Sequence, residues 1–286
     1  GSSSTIGPII PPSLPMVIYG VMANASIGQL FAAGVLPGLT MGLTLMAMVV
    51  WFAHTRNYRR DVRFSVSNLW ASSKRAFLPL LTPIILVGGM VTGVFTPTEA
   101  AIAATVYALV LGVFVYRTLS LKRLIKISFE TIETTAIILL IVAGASIFGY
   151  LITTSKITDH VADAVLAITT QPWAVLLLVN LFLLVVGCFM ETIAAITILV
   201  PVLMPLVERI GVDPVHFGVV MVLNLMIGLL TPPVGMVLYV LARVANISLD
   251  RTTRACAPFL IPLLVTLGIV TYWPSMVMFL PNLFYK

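Results

Sequence analysis

The sequence GPIIPPSLPMVIYG, from Gly7 to Gly20, places two adjacent prolines inside a strongly apolar segment. A proline in a helix interior removes a backbone hydrogen bond and clashes with the preceding turn, at a cost of about 3 kcal/mol. A second segment, GLLTPPVGMVLYVLA from Gly228 to Ala242, repeats the Gly-x-x-x-Pro-Pro spacing and has a tyrosine soon afterwards. One such break could be a simple helix kink, but two matching breaks indicate a shared architectural element.

The composition assigns the chain to a membrane. Hydrophobic residues make up 60% of it and charged residues only 9%. Several apolar runs approach the ~20 residues that a helix needs to cross the hydrocarbon core. The absence of short alternating segments favours helices over a barrel, so the predicted fold class is an all-α integral membrane protein. The net charge of +6 does not indicate a nucleic-acid partner, because the basic residues concentrate in short loops between apolar runs.

Two basic segments predict the orientation. Residues 54–76 and residues 117–126 each carry a cluster of Lys and Arg between apolar runs. By the positive-inside rule both segments are expected on the cytoplasmic side, and they agree with each other because two spans separate them.

The chain also contains a weak internal repeat. At one constant offset the two Pro-Pro segments align, and the match extends downstream to pair Pro37 with Pro258 and Leu39 with Leu260. Asn24 and Asn246 correspond only when a slip of one residue is allowed. Broken helices at corresponding positions of two halves are the sequence feature that best indicates a transporter binding site.

Each break is expected to expose backbone polar groups that a ligand can satisfy. Pro12 and Pro233 are predicted to begin new half-helices, whose amides and positive dipole ends suit an anion. The carbonyls that end the preceding halves suit a cation such as sodium. Ser13 and Thr231 add hydroxyl groups at these points.

An acidic residue marks a third element. Glu191 lies within the segment GCFMETIAAITILVPVLMP, residues 187–205. This segment belongs to a longer apolar run, which is too long for one membrane crossing and too short for two. The run predicts a re-entrant hairpin with its turn near residues 190–192. An acid at membrane depth suggests a functional group, although Glu191 could instead serve only as the N-terminal residue of a helix.

Other polar residues have structural explanations. Thr96, Pro97 and Glu99 form the pattern of a helix capping box, so Glu99 is not expected to bind a ligand. His160 and His216 are expected in loops or interfaces rather than as metal ligands.

Four segments together give the chain a family resemblance: IIPPSLPMVIYG, GVFTPTEAA, GCFMETIAAI and GLLTPPVGMVLYV. They resemble the large membrane subunit of a TRAP (tripartite ATP-independent periplasmic) transporter. The resemblance implies a sodium-driven, elevator-type transporter with an inverted repeat, located in the bacterial inner membrane. It also implies an extracytoplasmic substrate-binding protein, a small four-helix membrane subunit, surrounding lipid and an organic acid of the C4-dicarboxylate or sialic acid class.

The resemblance also suggests domain limits. Residues 1–29 would carry the first broken helix of the transport domain, and residues 30–130 scaffold and arm helices with cytoplasmic loops. Residues 131–257 would form the second-repeat transport domain, followed by a terminal scaffold helix at 258–286. The family's first hairpin, which precedes the first Pro-Pro helix, is expected in an upstream part of a longer protein.

The candidate site residues follow from the same match. The expected substrate contacts are Pro12, Ser13, Pro233 and Glu191, with Glu191 acting indirectly because a bare carboxylate would repel an anionic substrate. The expected sodium ligands lie at Gly228, Thr231, Pro232, Glu191 and Thr192. The Ser13 hydroxyl is expected to serve the ligand and not the fold.

Other functions fit the sequence less well. No HExxH, intramembrane aspartate pair or Ser-His dyad indicates an enzyme, and no Gly-x-x-x-x-Gly-Lys segment indicates an ATPase. A passive assembly subunit would not need paired helix breaks. The alternative is a sodium- or proton-coupled carboxylate or ion transporter of similar fold that works without a binding protein.

Overall fold

A computed structural model of the protein describes residues 2–55 and 65–285. These residues form twelve α-helices, preceded by a 3₁₀ turn at Ser2–Ile6. The helices are α1 Leu14–Met22, α2 Ile27–Thr55, α3 Val66–Val91, α4 Pro97–Val110, α5 Leu121–Thr154, α6 Ile157–Ile168, α7 Pro172–Phe189, α8 Thr192–Arg209, α9 Pro214–Gly228, α10 Met236–Ala245, α11 Leu249–Tyr272 and α12 Pro274–Phe284. A short π-helical segment, Leu111–Val115, extends α4.

Within the described residues, seven helices are long and apolar enough to cross a membrane: α2, α3, α4 with its π extension, α5, α7, α8 and α11. The helices α9, α10 and α12 are apolar but shorter. The prediction of an all-α membrane protein is therefore confirmed.

The chain divides into two compact units. The first unit comprises Gly1–Met48 and Ile138–Lys286, and the second comprises Val49–Ile137. In the first unit, α7 packs along α9, and α8 contacts both α1 and α6. Arg209 at the end of α8 pairs with Asp163 of α6 at 2.8 Å. In the second unit, α3 packs against α4, and the Tyr107 hydroxyl donates to the Leu78 carbonyl at 2.9 Å.

The predicted repeat has structural counterparts. The peptide bonds that precede Pro12 and Pro233 are both cis. Asn24 and Asn246, which follow α1 and α10, both adopt left-handed backbone conformations, with φ of 51° and 52°. The long helices that come next in each half, α2 and α11, meet where the hydroxyls of Thr44 and Thr266 lie 2.9 Å apart.

The basic segments give the two halves opposite directions. Three arginines, Arg243 near the end of α10 and Arg251 and Arg254 near the start of α11, predict that this end of α10 is cytoplasmic. The helix α2 leads into the basic segment 54–76, whose residues 56–64 lie outside the described residues. By the same rule the preceding helix, α1, is expected to run towards the outer side, opposite to α10.

Several helix limits differ from expectation. The predicted terminal span consists of two helices, α11 and α12, because Pro274 starts a new helix directly after Trp273. Single helices also run through the expected domain limits, α5 through 130/131 and α11 through 257/258. Loop charges mark where a helix leaves the membrane, whereas the helix itself continues into the polar region. The functional division into transport domain and scaffold stays a prediction.

Two other local predictions can be compared with the structure. The predicted break near residues 190–192 is confirmed, because the run that contains Glu191 consists of two 18-residue helices, α7 and α8, separated by Met190 and Glu191. Each helix is long and apolar enough to cross a membrane, so the expectation that the run is too short for two crossings is wrong, and the re-entrant character of the hairpin stays a prediction. At the start of α4, the Thr96 hydroxyl accepts a bond from the Glu99 amide while the Glu99 carboxylate accepts one from the Thr96 amide, which completes the capping box.

A glycine pair fixes the ends of α7 and α9 against each other. An ideal Cβ built on Gly228 would lie 2.6 Å from both Cα and the carbonyl carbon of Gly187. One built on Gly187 would lie 3.1 Å from Gly228 Cα. The two backbones are therefore in direct contact, and this contact requires the absence of side chains.

We predict that Gly228→Ala destabilises the protein by about 1–3 kcal/mol, because the added methyl group meets backbone atoms that cannot rotate away. Gly268→Ala in α11 is the matched control, since a Cβ there has no atom within 4 Å. Thermal unfolding of the detergent-solubilised protein measures both. Equal melting temperatures for the two variants would contradict the close contact.

Candidate functional site

The second break interrupts the helical hydrogen bonding between α9 and α10. Residues 229–235 connect the two helices, with one turn closed by the Thr231 amide donating to the Gly228 carbonyl at 2.8 Å. The Val237 amide reaches back across the break to the Leu229 carbonyl at 3.1 Å. Among the described residues, no hydrogen bond ends on the carbonyl oxygens of residues 230–234. The break thus offers a run of carbonyl oxygens that accept no hydrogen bond from the described residues. Pro232 and Pro233 are exposed and Thr231 is half-buried, so this run lies at the surface of its unit.

The hairpin turn lies at this break. The Gly235 amide donates to the Cys188 carbonyl at 3.2 Å, next to the contact between Gly187 and Gly228. These contacts bring the end of α7, at Gly187 and Cys188, against Gly228 and Gly235 at the second break. Glu191 and Thr192 follow a few residues later in the chain, and the sodium site at Gly228, Thr231, Pro232, Glu191 and Thr192 stays a prediction.

Glu191 caps the second hairpin helix. One carboxylate oxygen, Oε2, accepts hydrogen bonds from the amides of Ile193 at 2.8 Å and Ala194 at 3.1 Å. The sequence leaves two roles open for Glu191, a functional group at membrane depth or the N-terminal residue of a helix. These hydrogen bonds show the second role. A capping carboxylate also occupies the positive end of α8, so that end is not open to an anionic ligand.

The neighbouring Thr192 has a buried hydroxyl that makes no hydrogen bond within the described part of the chain. Thr192 is 1% exposed, and its hydroxyl oxygen Oγ1 is buried with no hydrogen-bond partner. Leaving a buried polar atom unpaired costs about 1–3 kcal/mol. By contrast, the Thr231 hydroxyl donates to the Ile227 carbonyl at 2.9 Å, which leaves its oxygen lone pairs available as acceptors.

The first break is organised differently. The Ser13 hydroxyl donates to the Pro8 carbonyl and accepts a hydrogen bond from the Met16 amide at 3.3 Å. Ser13 is the N-cap of α1 and is 2% exposed. The Ser13 hydroxyl therefore has two hydrogen-bond partners within its own segment. The expectation that this hydroxyl does not serve the fold is wrong, whereas its predicted contact with a ligand stays a prediction.

The prolines do not begin the half-helices. The helix α1 starts at Leu14, with Pro15 at its second position, and α10 starts at Met236. The prediction that Pro12 and Pro233 take the first helical position is therefore wrong. Ser13 supplies the cap in the first half, and Gly235, with φ of 54°, turns the chain into α10 in the second.

A tyrosine that the sequence analysis did not single out anchors α1. The Tyr19 hydroxyl donates to the Pro214 carbonyl at 2.7 Å and lies 3.4 Å from the sulfur of Met204. Gly218 leaves room for the ring, since a Cβ there would lie 2.7 Å from Tyr19 Cδ1. These contacts hold α1 on α8 and α9. Among the described residues, no hydrogen bond joins Pro12 or Ser13 to the cluster at the second break.

The second break and the hairpin carry groups that suit a cation and groups that suit an anion. The carbonyls of residues 230–234 and the Thr192 hydroxyl are oxygen acceptors, the ligands that a hard cation prefers. At the start of α10, the amides of Val234 and Met236 donate to no atom of the described residues. Free amides at a helix N-terminus suit an anionic group.

His216 is also placed differently from expectation. It lies in the first turn of α9 and is 2% exposed, whereas the sequence suggests a loop or an interface. Its Nε2 is 2.8 Å from the Val270 carbonyl, a contact between distant segments that local sequence does not encode.

A broken helix beside two helices joined by a short turn, with a second Pro-Pro break at the corresponding position of the other half, is an arrangement typical of secondary transporters. A family comparison agrees with this class. Residues 1–276 match the family described as "Tripartite ATP-independent periplasmic transporter, DctM component". The chain belongs to this family, and it is a multi-pass protein of the bacterial inner membrane.

Three relatives show the range of the family. The chain is 47% identical over 283 residues to the sialic acid TRAP transporter large permease protein of Vibrio cholerae, covering 99% of this chain and 66% of the relative. It is 42% identical over 281 residues to the C4-dicarboxylate TRAP transporter large permease protein of Pseudomonas aeruginosa, covering 98% and 66%. It is 41% identical over 282 residues to the sialic acid TRAP transporter permease protein of Haemophilus influenzae, covering 99% and 46%. The chain thus spans about half to two thirds of the length of these relatives.

We predict that Ser13→Ala lowers stability by about 0.5–2 kcal/mol, the usual loss for an N-cap hydroxyl. Ser13→Thr should retain most of the stability, because threonine also caps helices. Thermal unfolding with and without sodium measures the effect. A Ser13→Ala variant as stable as the parent would contradict the capping role.

Proposed function

We propose that the chain is the site-bearing part of a sodium-coupled importer of an organic acid, delivered by a substrate-binding protein outside the inner membrane. The observations that carry the proposal are the unpaired Thr192 hydroxyl just after the hairpin turn and the carbonyls of residues 230–234, which accept no hydrogen bond within the described residues. Oxygen acceptors of this kind are the ligands that a hard cation such as sodium prefers.

The proposed sodium site combines both elements. In this proposal, carbonyls of Gly228, Thr231 and Pro232 bind the ion together with the Thr192 hydroxyl and the backbone of Glu191. The Gly228 carbonyl already accepts one hydrogen bond, but a carbonyl oxygen has a second lone pair. The carboxylate of Glu191 stabilises the turn and contributes negative charge near the cation.

The proposed substrate is a carboxylate. In the sequence the sixteen Lys and Arg lie between the apolar runs or at their ends, so we expect no basic side chain of this chain at the membrane midplane. A carboxylate there must be compensated by other means, because an isolated charge in low dielectric is very costly. The free amides that follow Pro233 at the start of α10 and a bound sodium ion supply that compensation. Pro12 and Ser13 would border the substrate from the first break.

The partners follow from the relatives. Their names include sialic acid and C4-dicarboxylate, which supports an organic acid of one of these classes as the substrate. Membership in a tripartite family supports two further protein partners, a periplasmic binding protein and a small membrane subunit. Lipid would surround the apolar helices. Transport would proceed by an elevator movement of the site-bearing unit, without enzymatic chemistry.

Uptake by the complete permease tests the proposal. Proteoliposomes that contain the large and small subunits are supplied with the cognate binding protein and a radiolabelled sialic acid or dicarboxylate. Uptake should require an inward sodium gradient and stop when potassium replaces sodium. Sodium-driven uptake without the binding protein would favour the alternative, a transporter that works alone. Uptake driven by a pH gradient without sodium would contradict sodium coupling.

We predict that Thr192→Val selectively weakens sodium binding. Without sodium the variant should be as stable as the parent or more stable, because a methyl group replaces an unpaired buried hydroxyl. Sodium should raise its melting temperature less, and half-maximal uptake should need roughly tenfold more sodium, equivalent to about 1.4 kcal/mol.

Thr197→Val is the matched control on the same helix. Thr197 is fully buried, but its hydroxyl contacts the carbonyls of Ile193 at 2.9 Å and Ala194 at 3.0 Å within α8. This variant should keep the sodium response of the parent. If Thr192→Val also keeps it, the Thr192 hydroxyl is not a sodium ligand.

A further inference from the structure

Three buried polar side chains connect α11, α7 and α9 in series. Asn180 Nδ2 donates to Thr271 Oγ1 at 3.0 Å. Asn224 Nδ2 in turn donates to Asn180 Oδ1 at 2.7 Å and to the Asn180 carbonyl at 3.0 Å. Thr271, Asn180 and Asn224 are 1%, 6% and 0% exposed. Polar side chains at this depth are rare in membrane helices, so this polar ladder calls for an explanation.

The inner end of the polar ladder is unsatisfied. Asn224 Oδ1 is buried and has no hydrogen-bond partner. The amide cannot simply be reversed, because Oδ1 would then face both oxygens of Asn180. An acceptor is therefore held in place without a donor, one helical turn before Gly228 and the second break.

The outer end of the polar ladder reaches a cavity. Thr271 lines a cavity of about 320 Å³ together with Asp213, His216, Trp173 and Tyr272. This volume exceeds that of several water molecules, each of which occupies about 30 Å³ in the liquid. The cavity lies at the start of α9 and the end of α11, the ends of these helices that face away from the cytoplasmic arginines.

The missing partner of Asn224 is a small neutral donor. A hard cation requires a shell of several oxygens. Asn224 presents one free oxygen, Oδ1. The two neighbouring oxygens of Asn180 already accept hydrogen bonds from the Asn224 side-chain amide. Water needs only a few polar partners and donates the proton that Oδ1 lacks.

We propose that the polar ladder is a water path from the outer cavity to the second break. Water enters beside the Thr271 hydroxyl, passes Asn180, and a bound molecule donates to Asn224 Oδ1. The path would give the break a supply of water that does not depend on opening the hairpin. The proposed water path is supported by the buried amides and the cavity, and it does not depend on the proposed sodium site.

Cysteine accessibility in the complete permease tests the path. In a background with Cys188→Ala and Cys256→Ala, the Asn224→Cys variant is treated from the outer side with 2-aminoethyl methanethiosulfonate. Leu223→Cys, at the fully buried neighbouring position, is the control and creates the larger void. Asn224→Cys should be modified roughly tenfold faster than Leu223→Cys. This factor corresponds to a free energy of access that is about 1.4 kcal/mol lower. Equal rates would overturn the proposal.

A further substitution tests the route. Thr271→Val removes the hydroxyl at the cavity and should slow the modification of Asn224→Cys. Thr252→Val is the control on the same helix, because the Thr252 hydroxyl contacts the Ser248 carbonyl of its own turn at 3.1 Å. Equal slowing by both changes would contradict a route through Thr271.

Radiolytic labelling keeps the test independent of cysteine variants. X-ray pulses convert bound water to hydroxyl radicals, which oxidise adjacent side chains in the unmodified protein. Met221, one turn before Asn224, and Met41 in α2 are both fully buried. Met221 should be oxidised faster than Met41 if water is bound at Asn224. Oxidation of both at the same low rate would contradict the bound water.

Discussion

The structure depends on how backbone carbonyls are satisfied inside an apolar unit. A continuous helix satisfies them internally, but the second Pro-Pro break leaves the carbonyls of residues 230–234 without donors among the described residues. Such groups must face protein donors, water or an ion. The contact of Gly187 with Gly228 holds the end of α7, just before the hairpin turn, against the start of this break. The helix that follows the turn carries a further unpaired oxygen, that of Thr192.

The two halves of the repeat share backbone geometry but not chemistry. Both carry a cis Pro-Pro bond and a left-handed asparagine after the following half-helix. The first half closes part of its break with Ser13, whose hydroxyl contacts the Pro8 carbonyl and the Met16 amide. The second half has Val234 at the equivalent position and uses Gly235 to turn into α10, with no side-chain cap. The second break therefore leaves more of its polar groups to a ligand.

Local patterns predicted much of this architecture. The Pro-Pro breaks, the hairpin turn before Thr192 and the capping box at Glu99 each depend on a few adjacent residues, and all three are confirmed. The sequence did not reveal the Tyr19 contact with Pro214 or the polar ladder from Thr271 to Asn224. Each of these joins residues far apart in the chain, so no local spacing encodes it. The helix starts after Pro12 and Pro233 were also misplaced, because proline fits a first turn but does not require one.

The capped carboxylate of Glu191 clarifies how the proposed site could hold an anion. Two amides of α8 stabilise the negative charge of Glu191, so the positive end of that helix is already occupied. Two amides that donate to no atom of the described residues, those of Val234 and Met236, lie at the start of α10. Under the proposed function, a sodium ion between the carboxylate side and the α10 side would separate the two negative groups. The acid would then attract the cation, and the cation with the α10 amides would attract the substrate.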